Sequence, residues 1–194
     1  MAYLFNCNSD TYEVRKLQKE EKVKSFNCGD DDLNDFLLNR SVPYRKALLA
    51  VTYIFENVET KEVIGYFSLA NDRVSLTDFD DKTEFNRFRR NLFTNEKRIR
   101  SYPAVKICRL GINEKFHGKG IGSIILNFIK SYFLENNKTG CRFIIVDAYY
   151  KAIPFYQKQR LPTSKKRGGR YNNKIALLRL KRYCRLSLSP FIAL

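Results

Sequence analysis

Gly118, Gly120 and Gly122 stand at alternate positions in EKFHGKGIGS, residues 114–123, between two apolar segments. Glycine gives a backbone access to left-handed conformations and lets a ligand lie against main-chain amides. Where such a stretch opens a helix, the unpaired N–H groups and the positive end of the helix dipole suit a phosphate. A tight turn needs one glycine, so three alternating ones point to a pyrophosphate as the guest. A Walker loop needs Lys followed by Ser or Thr where Gly120-Ile121-Gly122 stands, and the GxGxxG spacing of dinucleotide folds is also missed. Other reactive side chains are few. The Tyr156 phenol could pass a proton to a leaving group, or it is a core aromatic with a satisfied hydroxyl. Asp72 could act as a base through water and is equally suited to a turn. Cys108 lies in an apolar run as small filling. One histidine and five scattered cysteines without a CxxC pair argue against zinc and against a disulfide framework, and no metal is expected.

The elements that must position these residues follow from hydrophobic period. Residues 104–112 (AVKICRLGI) predict a strand whose apolar phase switches from Val105 and Ile107 to Cys108, Leu110 and Ile112, as a bulge would cause. Ile121, Ile124, Ile125, Phe128, Ile129, Tyr132 and Phe133 form one face of a helix ending near residues 137–140. Residues 141–146 (CRFIIV) predict a buried parallel strand, and residues 152–158 a short helix carrying Tyr156. The glycines therefore lie in a βαβ unit, at the carboxyl end of its first strand, where open α/β sheets bind ligands. Upstream, residues 13–17 predict a strand and 30–39 a helix interrupted by Pro43. Residues 48–56 and 62–70 predict an antiparallel hairpin, and 84–92 a helix, with Arg87, Arg89, Arg90, Arg98 and Arg100 in or beside it.

From residue 13 to 158 this order resembles the GCN5-related N-acetyltransferase (GNAT) family, whose acyl-CoA loop reads Arg/Gln-x-x-Gly-x-Gly/Ala. His117-Gly118-Lys119-Gly120-Ile121-Gly122 matches it except at His117. The resemblance implies an α/β fold with a mixed central sheet, a bulged strand, an acyl-CoA loop and flanking helices. It implies acetyl-CoA as cosubstrate, held by Leu110, Gly111 and Ile112 and by residues His117, Gly118, Lys119, Gly120, Ile121 and Gly122. The Leu110 N–H would face the thioester oxyanion, and Tyr156, in a Phe155-Tyr156 pair like the family's, would protonate the sulfur. Tyr149 and Tyr150 stand where the family often has Asn, so that contact is not carried over. FNCGDDDLNDFL, residues 26–37, resembles the Phe-x-Cys-Gly…Leu-x-x-Phe-Leu pattern of GNATs from bacterial toxin–antitoxin pairs. This implies aminoacyl-tRNA as acceptor, an antitoxin partner and a homodimer. A protein or small-molecule amine is the alternative acceptor, and a non-catalytic acyl-CoA-binding protein the alternative class.

The 194 residues, 44% of them hydrophobic, suit one domain, and no apolar run approaches the ~20 residues of a membrane helix, so a cytoplasmic protein is expected. The net charge of +16 is uneven. Residues 1–156 hold 25 Lys+Arg against 20 Asp+Glu, whereas residues 157–194 hold 11 Lys+Arg and no acid. Residues 1–158 are thus expected to form the catalytic domain and 159–194 an atypical basic tail. Two explanations of the tail stand open. It could contact tRNA phosphates. It could instead be a frameshifted end, since residues 171–181 can be encoded by codons whose next frame reads Thr-Thr-Thr-Lys-Leu-Leu-Tyr-Phe-Asp-Leu, a strand-like sequence.

Overall fold

The computed structural model describes residues 3–7, 10–79, 81–92, 99–134, 139–159, 161, 163–164, 174–179 and 192–193. Among them are nine strands: β1 (Tyr3–Cys7), β2 (Asp10–Lys16), β3 (Val51–Asn57), β4 (Val63–Ser75), β5 (Ser101–Ile112), β6 (Phe143–Ala148), β7 (Thr163–Ser164), β8 (Lys174–Arg179) and β9 (Ile192–Ala193). The α-helices are α1 (Asp31–Asp35), α2 (Ser41–Lys46), α3 (Lys82–Leu92), α4 (Ile121–Leu134) and α5 (Ile153–Lys158). The chain divides into two compact units, residues 1–70 with 107–129 and 184–194, and residues 71–106 with 130–183.

In the first unit the strand order is β9-β1-β2-β3-β4-β5. The expected hairpin is β3 and β4, antiparallel with Val51 opposite Leu69 and a register shift between Phe55 and Glu56. Cross-strand pairs hold it: the Tyr53 and Phe67 rings stack at 4.9 Å, and the buried hydroxyls of Thr52 and Ser68 lie 2.9 Å apart. β3 starts at Val51 and not Leu48. Leu48 takes a left-handed φ of 57° and is 88% exposed. β1, which sequence periodicity did not reveal, pairs with β2, and Tyr3 and Phe5 set their rings edge-on to Phe128 of α4.

The segment expected as one helix over 30–39 is helical, but it changes type within its length and continues beyond it. Asp30 caps α1 by accepting from the Leu33 amide; Phe36–Arg40 is a π-helical turn closed by Ser41 N–H donating to the Phe36 carbonyl; α2 follows. Pro43 does not interrupt the run. It is the third residue of α2, which continues directly from the π-helical turn. Leu17, Phe26, Phe36, Leu37, Ile54 and Tyr66 form the core beneath these turns.

In the second unit β7, β8, β6, β5 and the end of β4 are neighbours in that order. The Arg142 amide, just before β6, donates to the Pro103 carbonyl near the start of β5 at 2.9 Å, so the two strands begin side by side, as a βαβ unit requires. β6 starts two residues later than expected, at Phe143, and all but Asp147 of it is buried. β8 pairs antiparallel with β6 from Phe143–Arg179 to Ala148–Lys174, so residues 174–179 form a strand as they stand. α3 begins at Lys82 and packs Phe85 and Phe88 on a cluster with Val74, Tyr102, Ala104, Phe143 and Ile145. The expected end of α4 and most of the basic tail lie outside the described residues. Among the described residues no helix is long and apolar enough to cross a membrane.

Candidate active site

β5 delivers Leu110, Gly111 and Ile112 into the loop. Gly111 is a packing glycine: a Cβ there would lie 2.8 Å from Cε1 of Tyr66 and 3.4 Å from Cε1 of Phe26. Tyr66 is fully buried, its hydroxyl donates to the Leu33 carbonyl at 2.7 Å, and burial pushes its phenol pKa well up. A Cβ at Gly65 on β4 would crowd Cδ1 of Ile112 at 3.0 Å and the Gly111 carbonyl at 3.1 Å, so both glycines make room for a neighbour on the facing strand. Leu110 and Ile112 are half-buried. Along β5, consecutive burial occurs at Ala104 and Val105, earlier than the phase switch at Cys108 that the apolar pattern suggested.

Asn113 ends the strand. Its amide donates to the Ile64 carbonyl at 2.8 Å, its side-chain N–H to the Val63 carbonyl, and its Oδ1 caps a 3-10 turn over Glu114–Phe116. A second brace comes from the FNCG turn. The Glu114 amide donates to the Asn27 carbonyl at 3.0 Å and Asn27 Nδ2 to the Glu114 carboxylate at 2.9 Å, while Asn27 Oδ1 accepts from the Gly29 amide and from Asn34. Gly29 has φ +74°, and a Cβ there would strike the Glu114 carboxylate at 2.6 Å. The FNCG motif therefore anchors the start of the glycine loop, 87 residues away in sequence. None of the motif's polar partners could be read from spacing.

His117 stands where the family pattern has Arg or Gln, and its Nε2 lies 2.8 Å from the Ile112 carbonyl, tying the loop back to β5. Gly118 and Gly120 have φ of +76° and +78°, and at both a Cβ would meet nothing within 4 Å. Backbone conformation thus accounts for two of the three glycines, and both open on free space. Gly122 lies in the first turn of α4. Gly120 carbonyl accepts from the Ser123 and Ile124 amides at 2.9 and 3.2 Å. Among the described residues the amides of Gly118, Gly120, Ile121 and Gly122 take no partner. Lys119 Nζ rests 4.9 Å from the centre of the Phe116 ring. Unpaired donors, a cation and space where side chains would stand are the features a pyrophosphate needs, so these residues fit acetyl-CoA.

Tyr156 belongs to the second unit. It is 5% exposed, its ring meets Phe155 edge-on at 5.0 Å, and burial alone pushes its phenol up to about 12. Among the described residues its hydroxyl makes no hydrogen bond. The buried Lys130 of α4 donates to the Gln159 carbonyl at 3.1 Å at the carboxyl end of α5, where the Leu161 amide also donates to the Tyr156 carbonyl. Asp72 is exposed on β4, which continues to Ser75, and accepts from the Arg73 amide; it is not in a turn. On α3, Arg87 and Arg90 line a cleft of about 430 Å³ with Thr83 and Asn86, and Arg89 is turned onto Phe85 and Asn86. Arg98 lies outside the described residues.

Residues 11–160 match the model of the Acetyltransferase (GNAT) family. The chain is 26% identical over 144 residues, 73% of its length and 79% of the relative's, to the tRNA-acetylating toxin of Mycobacterium tuberculosis (strain ATCC 25618 / H37Rv). Among solved structures it resembles a tyrosine-to-phenylalanine mutant of KacT (17% identity, TM-score 0.68, covering 88% of this chain and 96% of that one). It also resembles AtaT complexed with acetyl-methionyl-tRNAfMet (20%, TM-score 0.65, 88% and 96%) and AtaTR bound with AcCoA (19%, TM-score 0.67, 88% and 95%). The family model covers more than half the chain and the solved structures share its fold, and so the chain belongs to the GNAT acetyltransferase family.

Proposed function

We propose that the chain transfers the acetyl group of acetyl-CoA to the α-amino group of aminoacyl-tRNA and acts in the cytoplasm as the toxin of a toxin–antitoxin pair. The observation that carries this reading is the likeness to the tRNA-acetylating toxin over 144 residues, on a chain whose glycine loop fits acetyl-CoA. The exposed guanidinium groups of Arg87 and Arg90 support an RNA acceptor, because a small cationic amine would instead want carboxylates.

The cosubstrate supplies an activated acetyl carbon. In this reading the amides of Gly118, Gly120, Ile121 and Gly122 and the dipole of α4 hold its pyrophosphate. The neutral amine attacks the thioester carbonyl, the Leu110 N–H stabilises the oxygen that gains charge, and the C–S bond breaks. The departing sulfur takes the Tyr156 proton, and the amine loses its own to solvent. A phenol held at about 12 is fully protonated at neutral pH, the state a general acid needs. Incubation with labelled acetyl-CoA and separate pools of charged tRNA, uncharged tRNA, peptide and polyamine tests the reading. Label on the aminoacyl end of charged tRNA is the expected result; label on peptide or polyamine alone would replace the acceptor.

A further inference from the structure

We propose that Arg109 supplies a guanidinium fork that takes a phosphodiester near the 3′ end of the acceptor RNA, an inference that rests on the aminoacyl-tRNA reading above. Arg109 precedes Leu110 on β5, and its guanidinium carbon lies 5.2 Å from the centre of the Phe36 ring. Nη1 donates to the Cys108 carbonyl at 2.9 Å, which fixes the rotamer. The other edge, Nε with Nη2, is the one a two-oxygen anion grips side-on. Among the described residues Nη2 has a loose partner, Asp32 at 3.4 Å, and Nε is buried without one. Arg15 in the same unit shows that edge filled: its Nε and Nη2 donate to the two oxygens of Glu56 at 2.8 and 3.3 Å.

A buried donor left unmade is costly, so a partner for Nε is expected in some state of the protein. Nε is closed off from solvent, and an anion reaches it by displacing the Asp32 carboxylate. That displacement is cheap. The Arg109–Asp32 pair is partly exposed and long, and Asp32 keeps its second partner, Arg40 at 2.8 Å, which also holds Asp35. Non-bridging phosphodiester oxygens match the fork, and neighbouring residues on a strand face opposite ways, so Arg109 grips from the α1 side while Leu110 keeps its own role.

The test compares steady-state acetylation of charged tRNA and of a phosphate-free aminoacyl-adenosine by the full chain and its Arg109→Lys and Asp32→Ala variants, with thermal melts and acetyl-CoA calorimetry alongside. Arg109→Lys keeps the charge and loses the fork, so KM for charged tRNA should rise about tenfold more than KM for the phosphate-free acceptor, with acetyl-CoA affinity unchanged. Asp32→Ala, which frees the fork, should lower KM for charged tRNA. Equal losses on both acceptors, or no change in a folded Arg109→Lys variant, overturn the fork. If Arg109→Lys does not fold, Asp32→Ala decides, and an unchanged or higher KM overturns the proposal. A parent chain that acetylates peptide and no charged tRNA overturns the acceptor reading and the phosphodiester together. A parent active on charged tRNA with unaltered variants overturns the fork alone.

Discussion

Replacing Gly120 by alanine separates what the loop does for the fold from what it does for the cosubstrate. Gly120 has φ +78°, and an L-residue held there loses about 1–2 kcal/mol to the left-handed backbone. The same substitution stiffens the unfolded chain, which returns about 0.4–1 kcal/mol. No steric cost is added, since the new Cβ meets nothing within 4 Å. The net is about 1 kcal/mol, a fall in Tm of roughly 2–4 °C for a domain of this size. Binding should suffer more. The methyl group stands in the open space beside the loop amides, and losing one charge-assisted hydrogen bond, about 1.5–3 kcal/mol, weakens affinity about tenfold to a hundredfold. Valine, whose branched Cβ is a true outlier at this φ, would blur the two effects, so alanine is the cleaner probe. Calorimetric titration with acetyl-CoA beside a thermal melt reads both. A folded Gly120→Ala variant with the parent's acetyl-CoA affinity would remove the loop from the binding site.

Tyr156→Phe should lower kcat by about a hundredfold with nearly unchanged acetyl-CoA affinity, the scale for losing a general acid; equal turnover would return Tyr156 to the core. Its raised phenol pKa also sets an alkaline limit. A group whose folded pKa lies above its unfolded value contributes stability that is full below about 10 and declines as pH climbs toward about 12, so urea midpoints should fall in that window and fall less in the Phe variant. Asn27→Ala removes the side-chain half of the Glu114 brace and two further hydrogen bonds, at about 1 kcal/mol each, and should weaken acetyl-CoA binding along with stability. If it destabilises without touching affinity, the brace does not reach the loop. Gly111→Ala drives a methyl group into the buried Tyr66 ring and should cost about 1–3 kcal/mol by denaturant titration; a neutral result would mean that Tyr66 can give way.

The apolar stripe of α4 was legible because one face buries Ile121, Ile125, Phe128, Ile129 and Phe133 at helical spacing, and the β3–β4 hairpin because its aromatic and branched residues pair across strands. Pro43 was misread since a proline that a helix accommodates looks the same in sequence as one that breaks it. β4 was cut short at Ala70: Asn71, Asp72 and Arg73 are polar because that stretch of strand is exposed. The glycine loop announced itself through composition. Its brace did not, because Asn27 and Glu114 are ordinary surface residue types joined only by the fold. Arg109 carried no signal either, since one arginine in a strand has no period.

The π-helical turn at Phe36–Arg40 holds one residue more than an α-helical turn of the same length would. A chain that lost the extra residue there could close the gap as plain α-helix, and because the bulge winds and advances no further than an α-helical turn with one residue fewer, the flanks would keep their phase. Asp32 would stay beside Arg109 and the Leu33 carbonyl over the Tyr66 hydroxyl, while only the side chains inside the turn, Phe36 and Leu37 among them, would re-phase. Length variants among related chains at this turn should therefore keep an arginine before the β5 leucine whether or not they keep the extra residue, and change instead the apolar residues of the turn itself.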